Sequence, residues 1–403
     1  MTAIGTKPAG PARATESPAI ERAPLKLTRL GPRRILHVGL SLVAGGTEAL
    51  VMGAYRRMDR DQIQFDFAVA QGQAGVYEDE VRSLGGRVLS YPIPSPRRPW
   101  VFDRSLRALL RDAGPFGGIH GHVYYLNGPI VRAAAAEGVP VRVAHSHFTE
   151  DGRGDSLFRR VYRLYSRRLI DRYATHKLGC SRRACESLYG RDCWSDPRTA
   201  VVPNGVDLDQ FNGERTDARA LRSEFDLPAT ATLIGHVGRF VEQKNHRRLI
   251  EIFAEVARHR TDVALVLIGA GELQAEIRER VAQLGLLERV RFLGVRRDLP
   301  RILPGLDALL MPSLYEGLPV VLVEAQAAGV PSIVATTITR EVDLGAGLVR
   351  FVDLDADLSV WREQIDIALR AKRQDRGELR TLLQAEGYEI GDVAKSLAAV
   401  YST

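Results

Sequence analysis

Cysteine is scarce. The 403 residues hold three, Cys180, Cys185 and Cys193. An odd number without zinc-type spacing points to a reducing cytoplasm and to nothing further. Long hydrophobic runs are missing as well, and none approaches the roughly 20 residues needed to cross a bilayer. The first 33 residues, rich in Pro, Ala, Thr and Gly, have no apolar core for a signal peptide. They read as a disordered basic tail. Excess charge is nearly absent outside that tail. Residues 1–33 hold six Lys/Arg and two Glu, so +4 of the net +7, and the remaining body is only about +3. That is too mild to argue for nucleic acid. What is present, 45% hydrophobic and 26% charged residues, is a globular composition. The length suggests two domains.

From residue 34 the chain alternates short β-rich runs with amphipathic helical ones. "RILHVGL", "FDFAVA", "GRVLSYP", "GGIHGH", "VRVAHSH", "KLGCS" and "TAVVPNG" read as strands of a first half. The grammar then restarts with "ATLIGHVGR", "VALVLIG", "VRFLG", "ALLMP" and "PSIVAT". Between them lie helices such as "TEALVMGAYRRM", "PIVRAAAAEG" and "NHRRLIEIFAEVARH". This is an α/β chain of two parallel-sheet, doubly wound domains. The reading divides it into the tail 1–33, a first domain 34–204, a second domain 205–385 and a terminal helix within 386–403. Two such domains facing each other make a cleft, and ligands bind at the carboxyl ends of the strands.

Residues 313–331, "SLYEGLPVVLVEAQAAGVP", stand out. A short helix is expected over about Pro319 to Ala328, with Pro319 in its first turn. Gly329 and Pro331 end it. Val320, Val321, Leu322 and Val323 make it apolar on every side, hence buried. Glu324 lies within it and Glu316 in the loop before it. A buried charge needs a partner, either a nearby arginine or something from outside the chain.

Other candidates also follow strands. Arg239 and Lys244 flank a helix opened by Asn245, an anion site that a diphosphate fits, unless the two are solvated surface. Gly269 and Gly271 allow close backbone approach, or form an ordinary turn. Gly45 and Gly46 precede a helix with Thr47 as expected N-cap, in the manner of a phosphate or sugar pocket. The stretch is not GxGxxG, and no acidic residue closes the second strand, so a nicotinamide site is disfavoured. Two His-x-His pairs, His120/His122 and His145/His147, end strands and share a face. A metal would need a third ligand, and none has suggestive spacing. Polar contact of His147 with a substrate is favoured over metal, beside a core or surface role. The Asp-x-Asp pairs at 207–209, 353–355 and 355–357 read as surface turns. The helical period of residues 155–172 puts Leu157, Phe158, Val161, Tyr162, Tyr165 and Leu169 on one face, flanked by arginines. It is either core-packed or in contact with anionic lipid.

Taken together, "GRFVEQKN", "IGAGEL", "RVRFLG", "VPNGVD" and above all "YEGLPVVLVEAQAAGVP" resemble the family 4 glycosyltransferases of the GT-B fold, over residues 34 to 403. The first half, with "YEDEVRSLGGRVLSYP" and "AHSHFT", resembles bacterial exopolysaccharide and capsule enzymes. The resemblance implies a nucleoside-diphosphate-sugar donor, a UDP-sugar foremost, and a saccharide or polyisoprenyl-linked acceptor. It implies transfer with retention of configuration, without metal or cofactor, in the cytoplasm at or near the membrane's inner face. It gives Glu324 the ribose hydroxyls, Glu316 and His147 the transferred sugar, and Arg239 and Lys244 the diphosphate. Gly45, Gly46, Gly269 and the stretch Gly317, Leu318, Pro319 and Val320 would line the donor. The loop from Gly294 to Asp298 would meet the base. His145, His122 and Asn204 are further candidates, since "HSH" leaves open which histidine serves. The last helix would cross back to the first domain. A nucleotide-sugar epimerase and a non-catalytic sugar-nucleotide sensor are the rival readings. A glycosidase pair of glutamates is disfavoured, because both lie on the donor half and a diphosphate leaving group needs charge neutralisation more than a proton.

Overall fold

The computed structural model describes residues 31–42, 45–70, 75–91, 99–149, 156–211, 218–371 and 374–403. The expected tail lies outside these except for its last three residues, and Arg33 already opens the first strand.

Seven strands form the first sheet. They are β1 (Arg33–Val38), β2 (Ile63–Ala70), β3 (Val88–Tyr91), β4 (Gly118–Gly121), β5 (Val141–Ser146), β6 (His176–Gly179) and β7 (Thr199–Val201). Their order is β3-β2-β1-β4-β5-β6-β7, with every pairing parallel. Six strands form the second: β8 (Thr232–Val237), β9 (Val263–Ile268), β10 (Val290–Gly294), β11 (Ala308–Met311), β12 (Ser332–Ala335) and β13 (Val349–Val352). Their order is β10-β9-β8-β11-β12-β13, again all parallel. Both sheets reverse direction of growth beside their first strand, which opens a crevice at the strands' carboxyl ends.

Burial explains the strand composition. β9, VALVLI, is buried along its whole length, as a strand covered by helices on both faces must be. β2 is buried but for its last residue, Asp66 included. That carboxylate is held by Arg34 at 2.5 Å and Arg87 at 2.7 Å. The helix His246–His259 buries Leu249, Ile250, Ile252, Phe253 and Val256.

The terminal helix Ile390–Ser402 packs on the helix Gly46–Arg57. Its Ile390, Val393, Leu397 and Tyr401 share one core with Leu50, Tyr55 and Phe65 of the first sheet's layer. Next to it, Val206 exchanges backbone hydrogen bonds with the crossing chain: Val206 N donates to Tyr388 O at 2.8 Å and Ile390 N to Val206 O at 3.1 Å.

Some local expectations are corrected. β13 has no counterpart in the sequence reading; it is a four-residue edge strand with a half-buried middle, too short to show a period. The helix cap is Gly45, not Thr47, and no side chain caps it. Pro319 is the extended residue before its helix, which spans Val320–Ala327. Gly329 follows with φ +69°, as a left-handed helix end requires. The helix Leu157–Tyr173 is not core-packed along its apolar row. Ser166 and Ile170 are buried, yet Leu157 is 77% exposed, Phe158 68% and Val161 59%. Among the described residues no helix is long and apolar enough to cross a membrane.

Candidate active site

A cleft of about 2060 Å³ runs between the carboxyl ends of the two sheets and is lined from both. On the second sheet's side its floor is two interlocked loops. Phe240 N donates to Ala270 O at 3.1 Å and Leu273 N to Phe240 O at 3.0 Å. A Cβ on Gly269 would collide with Gly238 O, and one on Gly271 with the Phe240 backbone. These glycines therefore let one loop approach the other. Gly269 lines the cleft and Gly271 does not. Arg239 follows β8, is exposed and lines the cleft. Among the described residues it has no ion-pair partner.

The two glutamates differ sharply. Glu316 is buried, and Lys244 Nζ lies 2.6 Å from its Oε1. Gln243 Nε2 donates to its Oε2 at 3.3 Å and to Tyr315 O at 3.0 Å. The sequence reading kept Lys244 and Glu316 apart as phosphate and sugar ligands; the fold makes them a pair. Glu324 is only partly buried, whereas every other residue of its helix, Val320–Ala327, is buried. Among the described residues its carboxylate has no hydrogen-bond or ion-pair partner. Desolvation pushes its pKa up to about 7. It lines the cleft.

The loop carrying Glu316 is latched to the first domain. Thr149 Oγ1 donates to Glu316 O at 2.6 Å, and Asn204 Nδ2 to Leu318 O at 2.8 Å. Gly317 faces His147 so closely that a Cβ would collide with the His147 carbonyl oxygen. A Cβ on Gly46 would sit 3.3 Å from Val320 Cγ2 of the opposite domain. Asn204 is thus placed as an interdomain latch. Thr149 was missed, since a lone threonine after a strand carries no signal. Glu48 was missed too; it lines the cleft and accepts from Ser41 Oγ at 3.0 Å.

The structure brings most of the remaining candidates to the same cleft: Gly45, Gly46, His122, His147, and Leu318 through Val320. Two stand outside. Gly294 ends β10 with φ +65°, and its successors Val295, Arg296 and Arg297 line the cleft instead. Arg296 is fixed by Asp298 at 2.7 Å and Glu224 at 2.8 Å. His145 lies behind the lining, with Nδ1 3.0 Å from His120 Nε2.

The expectation that no third ligand accompanies the His-x-His pairs is overturned. His37 on β1 is in register with His120 on β4. His37, His120 and His122 offer ring nitrogens within 4.8 Å of one another, and so do His122, His145 and His147. Sequence spacing could not show this, because the third member comes from a neighbouring strand. The Asp-x-Asp pair at 207–209 is held by Arg57 at 2.9 and 3.3 Å and by Arg380 at 2.8 Å.

Residues 44–210 match the model "Glycosyltransferase Family 4" and residues 217–341 the model "Glycosyl transferases group 1". The chain is 39% identical over 372 residues to EpsF of Bacillus subtilis (strain 168), which carries the name of a glycosyltransferase; this covers 92% of this chain and 96% of EpsF. It is 26% identical over 318 residues, 75% of this chain and 79% of the other, to the Escherichia coli UDP-Gal:alpha-D-GlcNAc-diphosphoundecaprenol alpha-1,3-galactosyltransferase. The structure of Anabaena HepE in complex with UDP-glucose superposes with a TM-score of 0.73 at 19% identity, covering 92% of this chain and 99% of that one.

Proposed function

Because the chain belongs to the family 4 glycosyltransferases and has their two-domain GT-B fold, we propose that it moves a sugar from a UDP-sugar onto a saccharide or polyisoprenyl-linked acceptor, with retention of configuration, in exopolysaccharide-type synthesis. The observation that carries this reading is Glu324. A carboxylate with no described partner, pushed up to about 7 on the wall of an interdomain cleft, is costly unless a ligand supplies donors. Ribose hydroxyls are such donors. Arg239 and the amino end of the Val320–Ala327 helix, which reaches the cleft at Pro319 and Val320, suit a diphosphate. Lys244, held by Glu316, adds charge beside it. HepE binds UDP and UDP-glucose, and the Escherichia coli relative uses UDP-Gal and a diphosphoundecaprenol-linked acceptor.

In this reading the bond between the anomeric carbon and the diphosphate oxygen breaks while the acceptor oxygen attacks from the same face. The acceptor's proton leaves with the nucleoside diphosphate. Arg239, Lys244 and the helix end offset the growing negative charge on the diphosphate, so the transfer needs no metal. His147, buried at the cleft and held neutral by desolvation, its pKa lowered to about 3, is suited to hydrogen-bonding sugar hydroxyls. The exposed apolar row of the helix Leu157–Tyr173, on a helix rich in arginine, suits an anionic inner-leaflet surface where a lipid-linked acceptor resides.

Incubation with radiolabelled UDP-sugars, with and without a polyisoprenyl-diphosphate saccharide, tests the proposal. Acceptor-dependent release of UDP and labelled product is expected. Conversion of the sugar without acceptor would mean an epimerase, and tight binding without turnover a sensor.

A further inference from the structure

Five histidines clustered at one end of the first sheet are more than the transfer needs. His37, His120, His122, His145 and His147 are all buried. They form two hydrogen-bonded chains. One runs from His37 Nδ1 to His122 Nε2 at 3.0 Å and from His122 Nδ1 to His147 Nε2 at 2.9 Å. The other runs from Tyr401 Oη to His120 Nδ1 at 2.6 Å and from His120 Nε2 to His145 Nδ1 at 3.0 Å. Neutral imidazole is the form that ligates metal.

Each neutral ring has one N–H and one bare nitrogen. The chains end on atoms that find no partner among the described residues: His37 Nε2, His145 Nε2 and His147 Nδ1. We propose that His122, His145 and His147 form a binding site for a divalent transition metal of the zinc class, at the first-domain wall of the cleft. The inference goes beyond the transfer reading and does not rest on it.

The atoms fit. A tetrahedral ion bound at about 2.0–2.1 Å keeps its ligands about 3.3 Å apart. Binding widens the His122 Nδ1–His147 Nε2 contact from 2.9 Å by a few tenths of an ångström and turns both rings so that their lone pairs converge on the ion. His145 Nε2, otherwise without a partner, is the third. The outer ring N–H groups of His122 and His145 are already oriented, while His147 Nδ1 has no partner among the described residues. His122 Nε2–H then donates to His37 Nδ1, and His145 Nδ1–H to His120 Nε2, whose own Nδ1–H donates to Tyr401 Oη. Metal-bound histidines need such outer partners to fix tautomer and ring direction. His122 and His147 line the cleft, which gives an entry path. An all-imidazole set selects zinc, cobalt, nickel or copper over magnesium or calcium.

Titration of the purified full chain with Co²⁺, followed by visible absorption and metal analysis, tests this. One equivalent with the intense bands of four-coordinate cobalt is expected. His145→Gln should abolish it, and His37→Gln, which loses only an outer partner, should weaken it about 10–100-fold. His259→Gln, at an exposed residue, should bind as the wild type does. Zinc should displace the cobalt one for one. Absence of tight cobalt binding by the wild type overturns the proposal without any variant. So does equal binding by correctly melting His145→Gln. Loss in His37→Gln with retention in His145→Gln would likewise overturn the assignment.

Discussion

At Glu324 the proposed role in nucleotide binding opposes stability. Its folded pKa of about 7 stands above the ordinary 4.5. Between those values the fold keeps a proton that the unfolded chain has lost. Ionising Glu324 in the fold therefore costs stability as pH rises from about 4.5 to about 7, and the cost is complete above that. Glu324→Gln should accordingly raise the melting temperature of the ligand-free protein at pH 8 and leave it nearly unchanged at pH 4.5, as scanning calorimetry can check. Ribose binding to the carboxylate favours its ionised form. Nucleoside diphosphate binding should thus release protons near pH 7 in the wild type beyond any release in Glu324→Gln, a comparison that cancels the phosphate's own titration. The sequence made both glutamates visible through a charge inside an apolar run. It did not make the Lys244–Glu316 pair visible, because the two lie 72 residues apart and meet only when β8 and β11 are neighbours. The same holds for His37, whose partners come from another strand.

Among elements, the loop Tyr315–Pro319 matters most, since it touches both domains. Gly317 has no room for a Cβ beside the His147 carbonyl oxygen. Gly317→Ala should cost about 1–3 kcal/mol by overpacking and lower transfer sharply, read by denaturant unfolding and by the transfer assay. An alanine variant with wild-type stability and turnover would show that the loop is free to move. Buried elements with a strong period were legible: β9 and the helix His246–His259 follow their hydrophobic patterns. β13 was not, because four edge residues carry no period. The helix Leu157–Tyr173 has a readable apolar row, but its exposure was not readable, since period alone does not say which face meets the protein. That exposure leads to a prediction. Leu157→Ser with Val161→Ser, two exposed residues outside the cleft lining, should reduce co-sedimentation with vesicles containing anionic lipid while leaving transfer to a water-soluble acceptor within a few-fold. Unchanged co-sedimentation would remove the membrane role.

On the scale of the whole molecule, two sheets with the same grammar were legible because parallel, covered strands read as short apolar runs separated by amphipathic helices. Their approach was not, as it rests on single contacts such as Thr149 with Glu316 and Asn204 with Leu318. With charge neutralisation left to Arg239, Lys244 and a helix end, turnover should survive EDTA; loss of activity restored by Mg²⁺ or Mn²⁺ would contradict that. The central claim is that the cleft grips a nucleotide through Glu324 and handles the sugar through Glu316. Calorimetry with UDP alone, on the wild type, Glu324→Gln and Glu316→Gln, tests it most directly. Losing one charged hydrogen bond costs about 1.5–3 kcal/mol, so Glu324→Gln should bind UDP about ten- to hundred-fold more weakly. Glu316→Gln should bind it as well as the wild type or better, since Lys244 is released toward the diphosphate. Equal losses in the two variants, with circular dichroism unchanged, would contradict the account.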